Sequence, residues 1–277
     1  MNESFSVAMC VYHGDDPGHF AKAIRSVIEQ TLQPNEIVLT VDGPIPNTID
    51  AVIESIGRKL ADTSILFKVV RLEQNRGHGE ARRICLENCS HELIALMDAD
   101  DISASNRFER QMNYIRAHPE VSAVGGNISE FIDTPEHIVS KRIVPATDEK
   151  IRNFMGKRCP MNQMTVLFRK SDVEKAGGYI DWYCEEDYYL WIRMALAGMK
   201  FGNVDEILVN VRVGAEMYQR RGGIRYFKSE AKLQKYMLDH KIISVSRYLV
   251  NVGERFVLQV LMPNKLRGWA FRKFARE

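Results

Sequence analysis

Residues 94–101 read IALMDADD, four apolar residues that run directly into Asp98, Asp100 and Asp101. Carboxylates repel one another and hydrate strongly, so three of them in four positions at a strand end do not serve stability. Turn formation and helix capping account for single aspartates, and Asp101 and Asp42 suit that role. A hard divalent cation accounts better for the cluster. Mg2+ and Mn2+ prefer oxygen ligands and commonly take one or two carboxylates together with substrate phosphates. A calcium EF-hand loop is excluded, because Ile102, Ser103 and Ala104 follow where further ligands and a fixed glycine are required.

Outward from this stretch, strand and helix patterns alternate. FSVAMCV (5–11), EIVLTV (36–41), ILFKVVRL (65–72) and residues 92–97 read as buried strands. Between them lie helical spacings: Phe20, Ile24, Val27, Ile28 and Leu32, then 48–60, then 78–89. Ser103 or Ser105 is expected to cap the next helix, whose Phe108, Met112 and Ile115 share a face and which Pro119 stops. Such alternation predicts an α/β fold, a mostly parallel sheet with helices on both faces. Asp42 and the 98–101 cluster then sit at the carboxyl ends of strands, where ligands of open sheets bind.

The second half is less regular. Strands are expected at 121–132, 164–169 and 206–213. SDVE (171–174) reads as a capping box opening a helix that Gly177 and Gly178 end. EDYYLWIRMALAG (186–198) is an amphipathic helix with Gly198 at its cap, and helices follow at 225–239 and 245–261.

The 277 residues are 45% hydrophobic and 27% charged, an ordinary globular composition with a net charge of +2. No global field points to nucleic acid. Residues 241–277 nevertheless carry eight Lys/Arg against Glu254 and Glu277, a local excess of positive charge. Five cysteines without framework spacing argue for a reducing compartment. Cys85 and Cys89 read as buried thiols, not half a zinc site, since no second close pair completes it. No start resembles a signal peptide, and no window reaches the ~18 apolar residues of a spanning helix. A cytoplasmic protein is expected.

SVAMCVYHGD, SVIEQT, VDG, NRGHGEAR, LMDADD, GGY and EEDYYLWIR stand in an order and spacing that resemble family-2 glycosyltransferases of the GT-A fold. The likeness is strongest to bacterial enzymes of O-antigen and exopolysaccharide assembly. It implies a Rossmann-like nucleotide-binding catalytic domain over 1–215 and a helical, basic extension over 216–277. It also implies a divalent cation, Mn2+ or Mg2+. By that resemblance Asp100 would ligate the metal on the sugar-nucleotide diphosphate, with Asp98 near the ribose and metal-bound water. Asp42 would read the base, and Tyr12 and Arg82 would line the nucleotide pocket. Gly178 and Tyr179 match the acceptor-side loop, and Asp187 matches the general base. His13, VDGP and Arg83 depart from the family's usual residues, so a UDP-sugar is implied through an altered base-reading pattern.

The chemistry of the residues runs the same way. Displacing a nucleoside diphosphate requires neutralising the leaving group, which a carboxylate-held cation does as a Lewis acid. The acceptor alcohol needs a base, typically worth ~10²–10⁴ in rate. Glu185, Glu186 and Asp187 form a second acidic cluster at a helix start, where carboxylates also favour the dipole. Asp187 and Glu186 both stay open as the base. Trp182 stands where it would stack on an acceptor sugar, while Trp191 is expected in the core. His78 reads as an exposed helix-start residue. QRRGG (219–223) suits a phosphate clamp or a solvated loop.

The tail 247–277, with Trp269, Phe271 and Phe274, either lies on an anionic membrane surface or packs on the domain. The expectation is a peripheral enzyme at the inner membrane face that transfers sugar to a lipid-linked (undecaprenyl-diphosphate) saccharide. The rivals are a sugar-phosphate nucleotidyltransferase, a non-catalytic sugar-nucleotide-binding module and an NAD-dependent oxidoreductase. GHGEAR (77–82) lacks the third glycine that the last of these requires.

Overall fold

Period-two alternation in the buried strands decides which helices cover which face. The computed structural model describes residues 3–214 and 222–263. Strand β1 (Phe5–Tyr12) pairs in parallel with β2 (Glu36–Asp42) and β4 (Leu93–Met97), and β2 pairs in parallel with β3 (Leu66–Arg71). Phe5, Val7, Met9 and Val11 of β1 enter one apolar cluster with Leu93, Ala95 and Met97 of β4, while Ala8, Ile94 and Leu96 enter the other. Helices α1 (Pro17–Ile28) and α2 (Asn47–Leu60) lie over the first face. There Phe20, Ile24, Ile49 and Ile53 are buried, each contributing ~1.5–3 kcal/mol. Asp16 caps α1 by accepting from the His19 N–H at 2.8 Å. Helix α3 (His78–Asn88) covers the opposite face through Cys85 and Leu86. The thiols are buried as expected, Cys85 Sγ lying 3.3 Å from the Val38 carbonyl.

Beyond β4 the sheet turns mixed. After β5 (Ile102–Ser103) and α4 (Arg107–Ala117) come β6 (Val121–Phe131), β7 (Ile138–Arg142), α5 (Asp148–Met155), β8 (Leu167–Arg169) and α6 (Lys170–Lys175). Helix α7 (Glu186–Leu196) and β9 (Lys200–Arg212) follow. The strand order is β3-β2-β1-β4-β8-β6-β9-β5, with β7 paired to β6. β8 runs antiparallel to both β4 and β6, so the expected mostly parallel sheet is parallel among the N-terminal strands and at β6·β9 and antiparallel at its other pairings.

Only residues 98–101 separate β4 from β5, yet three strands lie between them in the order. A flat sheet would put β5 ~19 Å away, whereas the five steps from Met97 to Ile102 span at most ~17 Å. The sheet therefore curls, with register breaks around Asn127 in the β6·β9 ladder, and the aspartates are carried across its rim.

Two expected caps are replaced. Ser103 lies in β5 opposite Val209, and α4 begins after Asn106 instead of a serine. Ser171 makes no capping bond, because its hydroxyl donates to Glu92 Oε1 at 2.6 Å and ties α6 to the start of β4. Strand β9 starts at Lys200, six residues earlier than its pattern indicates. Gly177 and Gly178 end α6 with φ of +87° and +64°.

The C-terminal helices pack on the α/β core. Leu233 and Met237 of α8 (Ile224–Asp239) share a buried cluster with Trp191 and Ile192 of α7. Asn251 of α9 (Val245–Phe256) donates to the Gly156 carbonyl at 2.8 Å, and a π-helical turn, Val257–Leu261, follows. Trp191 is fully buried at the centre of this cluster. Trp191→Ala is expected to cost about 3–5 kcal/mol, read as a lower denaturant midpoint at unchanged slope. A loss below about 1 kcal/mol would contradict the packing described.

Candidate active site

Strand ends β1, β2 and β4 open on one side of the sheet. Alternation on β4 points Asp98 to the same side as Leu96, the face that α3 covers. There Arg82 of α3 donates to Asp98 Oδ1 at 2.8 Å, and the Arg82 side chain is almost wholly buried. Burial alone would lower its pKa, but Asp98, then Tyr179, Cys10 and Glu186, more than offset this and keep it charged. Asp100 stands exposed one residue beyond Ala99.

Asp15, in the loop after β1, is an addition that sequence reasoning passed over as loop chemistry. Burial pushes its carboxyl up to about 6, and the nearby Asp100 and Asp98 charges add to the shift. Three carboxylates thus crowd one rim. Asp101 takes a separate part, buried and accepting from the Arg212 N–H at 2.9 Å to hold β9. Beneath the cluster Arg107 is wholly buried and donates to the Leu96 carbonyl at 2.7 Å and to Gln111 Oε1 at 3.0 Å. Burial pulls its pKa down to about 9, against the pull of Asp98 and Asp101. Its only trace in the sequence is a charge placed on the apolar side of α4.

Asp42 is buried, and its two oxygens accept the backbone N–H groups of Arg76 at 2.7 Å and Gly77 at 3.1 Å. It pins the loop that launches α3. Gly43 makes the turn possible: its φ is +84°, and a Cβ there would lie 2.5 Å from the Asn75 nitrogen. Tyr12 is exposed at the end of β1, its ring edge-on to His13. His78 is exposed at the start of α3, and the Arg82 charge holds its imidazole neutral, down at about 4.

The second acidic cluster meets the first across Arg82. Gly79 lies under Glu186, where an added Cβ would stand 3.8 Å from Glu186 Cγ. Burial, then the Asp187 charge, push the Glu186 carboxyl up to about 7, with Arg82 opposing. Asp187 Oδ1 accepts the Tyr188 N–H at 2.6 Å and borders a cavity of about 430 Å³. Tyr179 is buried beside Arg82, the guanidinium carbon 5.9 Å from its ring centre, and accepts from Gln163 Nε2 at 3.0 Å. The Gly178 carbonyl accepts from Arg193 at 2.6 Å.

Trp182 is engaged within the protein. Its ring lies 4.4 Å from that of Tyr189, its indole N–H donates to the Ser229 carbonyl at 3.3 Å, and Lys232 sits over it. It seats α8 on α7. Residues 219–221 of QRRGG and the tail from 264 lie outside the described residues.

Among the described residues no group of three or more His, Cys, Asp or Glu could hold a metal by itself. The donors at the rim are nevertheless all hard oxygens carrying excess negative charge. They fit a Mg2+ or Mn2+ that completes its shell with phosphate and water. Among the described residues no helix is long and apolar enough to cross a membrane.

Comparison with known proteins accords with this geometry. The model of glycosyl transferase family 2 matches residues 6–173. A UDP-Gal:alpha-D-GlcNAc-diphosphoundecaprenol beta-1,3-galactosyltransferase of Escherichia coli is 32% identical, the alignment covering 98% of this chain and 96% of that protein. The amylovoran biosynthesis glycosyltransferase AmsE of Erwinia amylovora is 34% identical over 97% of this chain and 98% of its own. A mannosyltransferase from Pyrobaculum calidifontis, solved in complex with GDP-Man and Mn2+, superposes with a TM-score of 0.65 at 13% identity. It covers 96% of this chain and 72% of its own, and shows the shared GT-A fold. The family match spans more than half the chain and the relatives align end to end, so the chain belongs to glycosyl transferase family 2.

Proposed function

We propose that this glycosyltransferase moves a hexose or N-acetylhexosamine from a UDP-sugar to a saccharide carried on undecaprenyl diphosphate. One observation carries the reading: Arg82 joins the two acidic clusters, ion-paired to Asp98 on one side and electrostatically coupled to Glu186 on the other. Transfer requires a diphosphate leaving group and an acceptor hydroxyl at one carbon, and these clusters offer one site for each. The Escherichia coli relative, whose name specifies a UDP-sugar and a diphosphoundecaprenol acceptor, supports both partners, and AmsE supports a place in polysaccharide assembly.

In this reading Tyr12 and the Asp42-pinned loop border the nucleotide. Asp98, oriented by Arg82, and Asp100 would hold Mn2+ or Mg2+. That cation supplies Lewis acidity to the departing diphosphate when bound. Asp187 takes the proton of the acceptor hydroxyl, and a single direct displacement inverts the anomeric centre. Gly178, Tyr179 and Trp182 shape the acceptor side, Trp182 through the helix it seats. The catalytic unit is residues 1–215, and 216–277 form the extension.

Glu186 is the alternative base, and its position tests the assignment. Its charge disfavours a second charge on Asp187. Glu186→Gln is therefore expected to move the acidic limb of the pH–rate profile to lower pH, with the plateau kept within about tenfold. A plateau lowered more than about 10²-fold would make Glu186 the base.

The extension is read as the contact with the inner membrane face. Val245 and Leu249 of α9 are each 63% exposed, and the basic tail follows. Deleting 262–277 is expected to abolish sedimentation with anionic vesicles; unchanged sedimentation would remove the anchoring role. The function itself is tested with a panel of nucleotide-sugars and a lipid-diphosphate saccharide acceptor. UDP release coupled to product is expected, and turnover of GDP- or CMP-sugars alone would overturn the donor assignment.

A further inference from the structure

We propose that Arg212, the last residue of β9, is a positioning residue that presents Asp100 to the cation. It acts on the backbone behind the ligand and touches neither the metal nor the sugar nucleotide. The proposal rests on the reading of Asp100 as a metal ligand and names what holds that ligand in place.

The register of the sheet brings the two residues together. β5 and β9 are antiparallel, with Ser103 opposite Val209 and Ile102 opposite Asn210. Continued toward the rim, that register sets Asp100 opposite Arg212. The Ala104 N–H donates to the Leu208 carbonyl at 2.9 Å. Hydrogen-bonded pairs of an antiparallel ladder recur at every second residue, so Asp100 and Arg212 stand where one is due. A regular pair would send the Arg212 N–H to the Asp100 carbonyl. Instead that N–H donates to Asp101 Oδ1 at 2.9 Å, and the Asp100 carbonyl accepts from Arg212 Nε at 3.3 Å. Side-chain bonds thus replace the backbone rung at the rim. Departures from the ladder at a sheet rim re-aim side chains, as bulges do.

The guanidinium is itself fixed. Its Nη1 donates to the Asp133 carbonyl at 3.0 Å, and its carbon lies 4.6 Å from the centre of the Phe131 ring. Asp133, with φ of +63°, belongs to the turn between β6 and β7. One planar fork therefore ties the aspartate turn to the β6–β7 hairpin, which the compact charge of a lysine cannot do. On the other side of Asp100, Ala99 is buried in the apolar cluster. The backbone is held before and after Asp100, while Asp100 itself stands exposed.

Packing of the hairpin alone would not require the Asp100 carbonyl as the acceptor. Asp15, Asp98 and Asp100 crowd the rim, and without a cation their repulsion works to spread the turn. A turn fixed through its backbone keeps the carboxylate in place against that repulsion, so no ordering is needed when the cation arrives. Partners that orient a metal ligand are commonly worth about 10- to 100-fold in metal affinity.

The test measures Mn2+ binding to the protein with stoichiometric UDP by electron paramagnetic resonance, with Mn2+ and UDP alone as the blank. Arg212→Met is expected to weaken Mn2+ binding about 10- to 100-fold. The backbone N–H to Asp101 survives the change, and the metal-free denaturant midpoint reports that the variant is folded. Transfer then needs correspondingly more Mn2+, while turnover at saturating Mn2+ stays within about tenfold of wild type. Arg212→Lys keeps the charge and the stem over Phe131 but not the fork, and is expected to recover little of the lost affinity. Wild-type Mn2+ affinity in folded Arg212→Met, or full recovery in Arg212→Lys, overturns the positioning role alone. Wild-type protein that takes up no Mn2+ with UDP overturns the reading of Asp100 as a ligand with it.

Discussion

Asp187→Asn is expected to lower the turnover number by about 10²–10⁴, the usual contribution of a positioned base, and to leave UDP affinity within about twofold. The substitution keeps the size and the acceptor oxygen that receives the Tyr188 N–H, so α7 starts as before. What disappears is the ability to take a proton. Backbone N–H donors at a helix N-terminus favour a carboxylate there, and the same donors tolerate an amide. UDP affinity is the discriminating readout, because Asp187 borders a cavity that neither Asp98 nor Asp100 lines. Wild-type turnover in this variant would remove Asp187 as the base.

Asp100→Ala, or removal of divalent metal by EDTA, is expected to cost more than about 10²-fold in transfer, since a Lewis-acid cation supplies several kcal/mol. Here UDP affinity falls as well. Asp15, Asp98 and Asp100 repel one another at the rim, and burial with that repulsion already pushes Asp15 up to about 6. A diphosphate brought there without a cation adds negative charge to negative charge. Replacing Asp100 would relieve some repulsion yet withdraw the ligand proposed for the cation, which would then no longer be held jointly with the diphosphate. Transfer undiminished in EDTA would contradict the metal assignment.

Local pattern made the N-terminal half legible. The apolar strands and the spacing of Phe20, Ile24 and Val27 depend on near neighbours only, and the structure has them at nearly the expected bounds. Interactions between distant residues escaped. Ser171 looks like a cap until Glu92, seventy-nine residues away, is seen to accept its hydroxyl. The early start of β9 passes for a loop because KFGNV alternates poorly and is held by its pairing with β6.

The site divides in the same way. Asp98, Asp100, Glu186 and Asp187 announce themselves as clusters of like charge. Asp15 reads as a loop residue, and Arg107 reads as an ordinary helical arginine until the fold buries it beneath the aspartates. The engagement of Trp182 with Ser229 of α8 could not be read from its neighbours in sequence, since that partner lies forty-seven residues away.

The most direct test measures UDP affinity in Mn2+ and the rate of sugar transfer to a lipid-diphosphate saccharide on the same preparations of wild type, Asp100→Ala and Asp187→Asn. The expected result is a division of labour: both variants lose transfer by at least about 10²-fold, and only Asp100→Ala loses UDP affinity. Equal loss of UDP affinity in the two variants, or transfer retained in either, would contradict a single centre with a metal-held donor on one side of Arg82 and a base on the other.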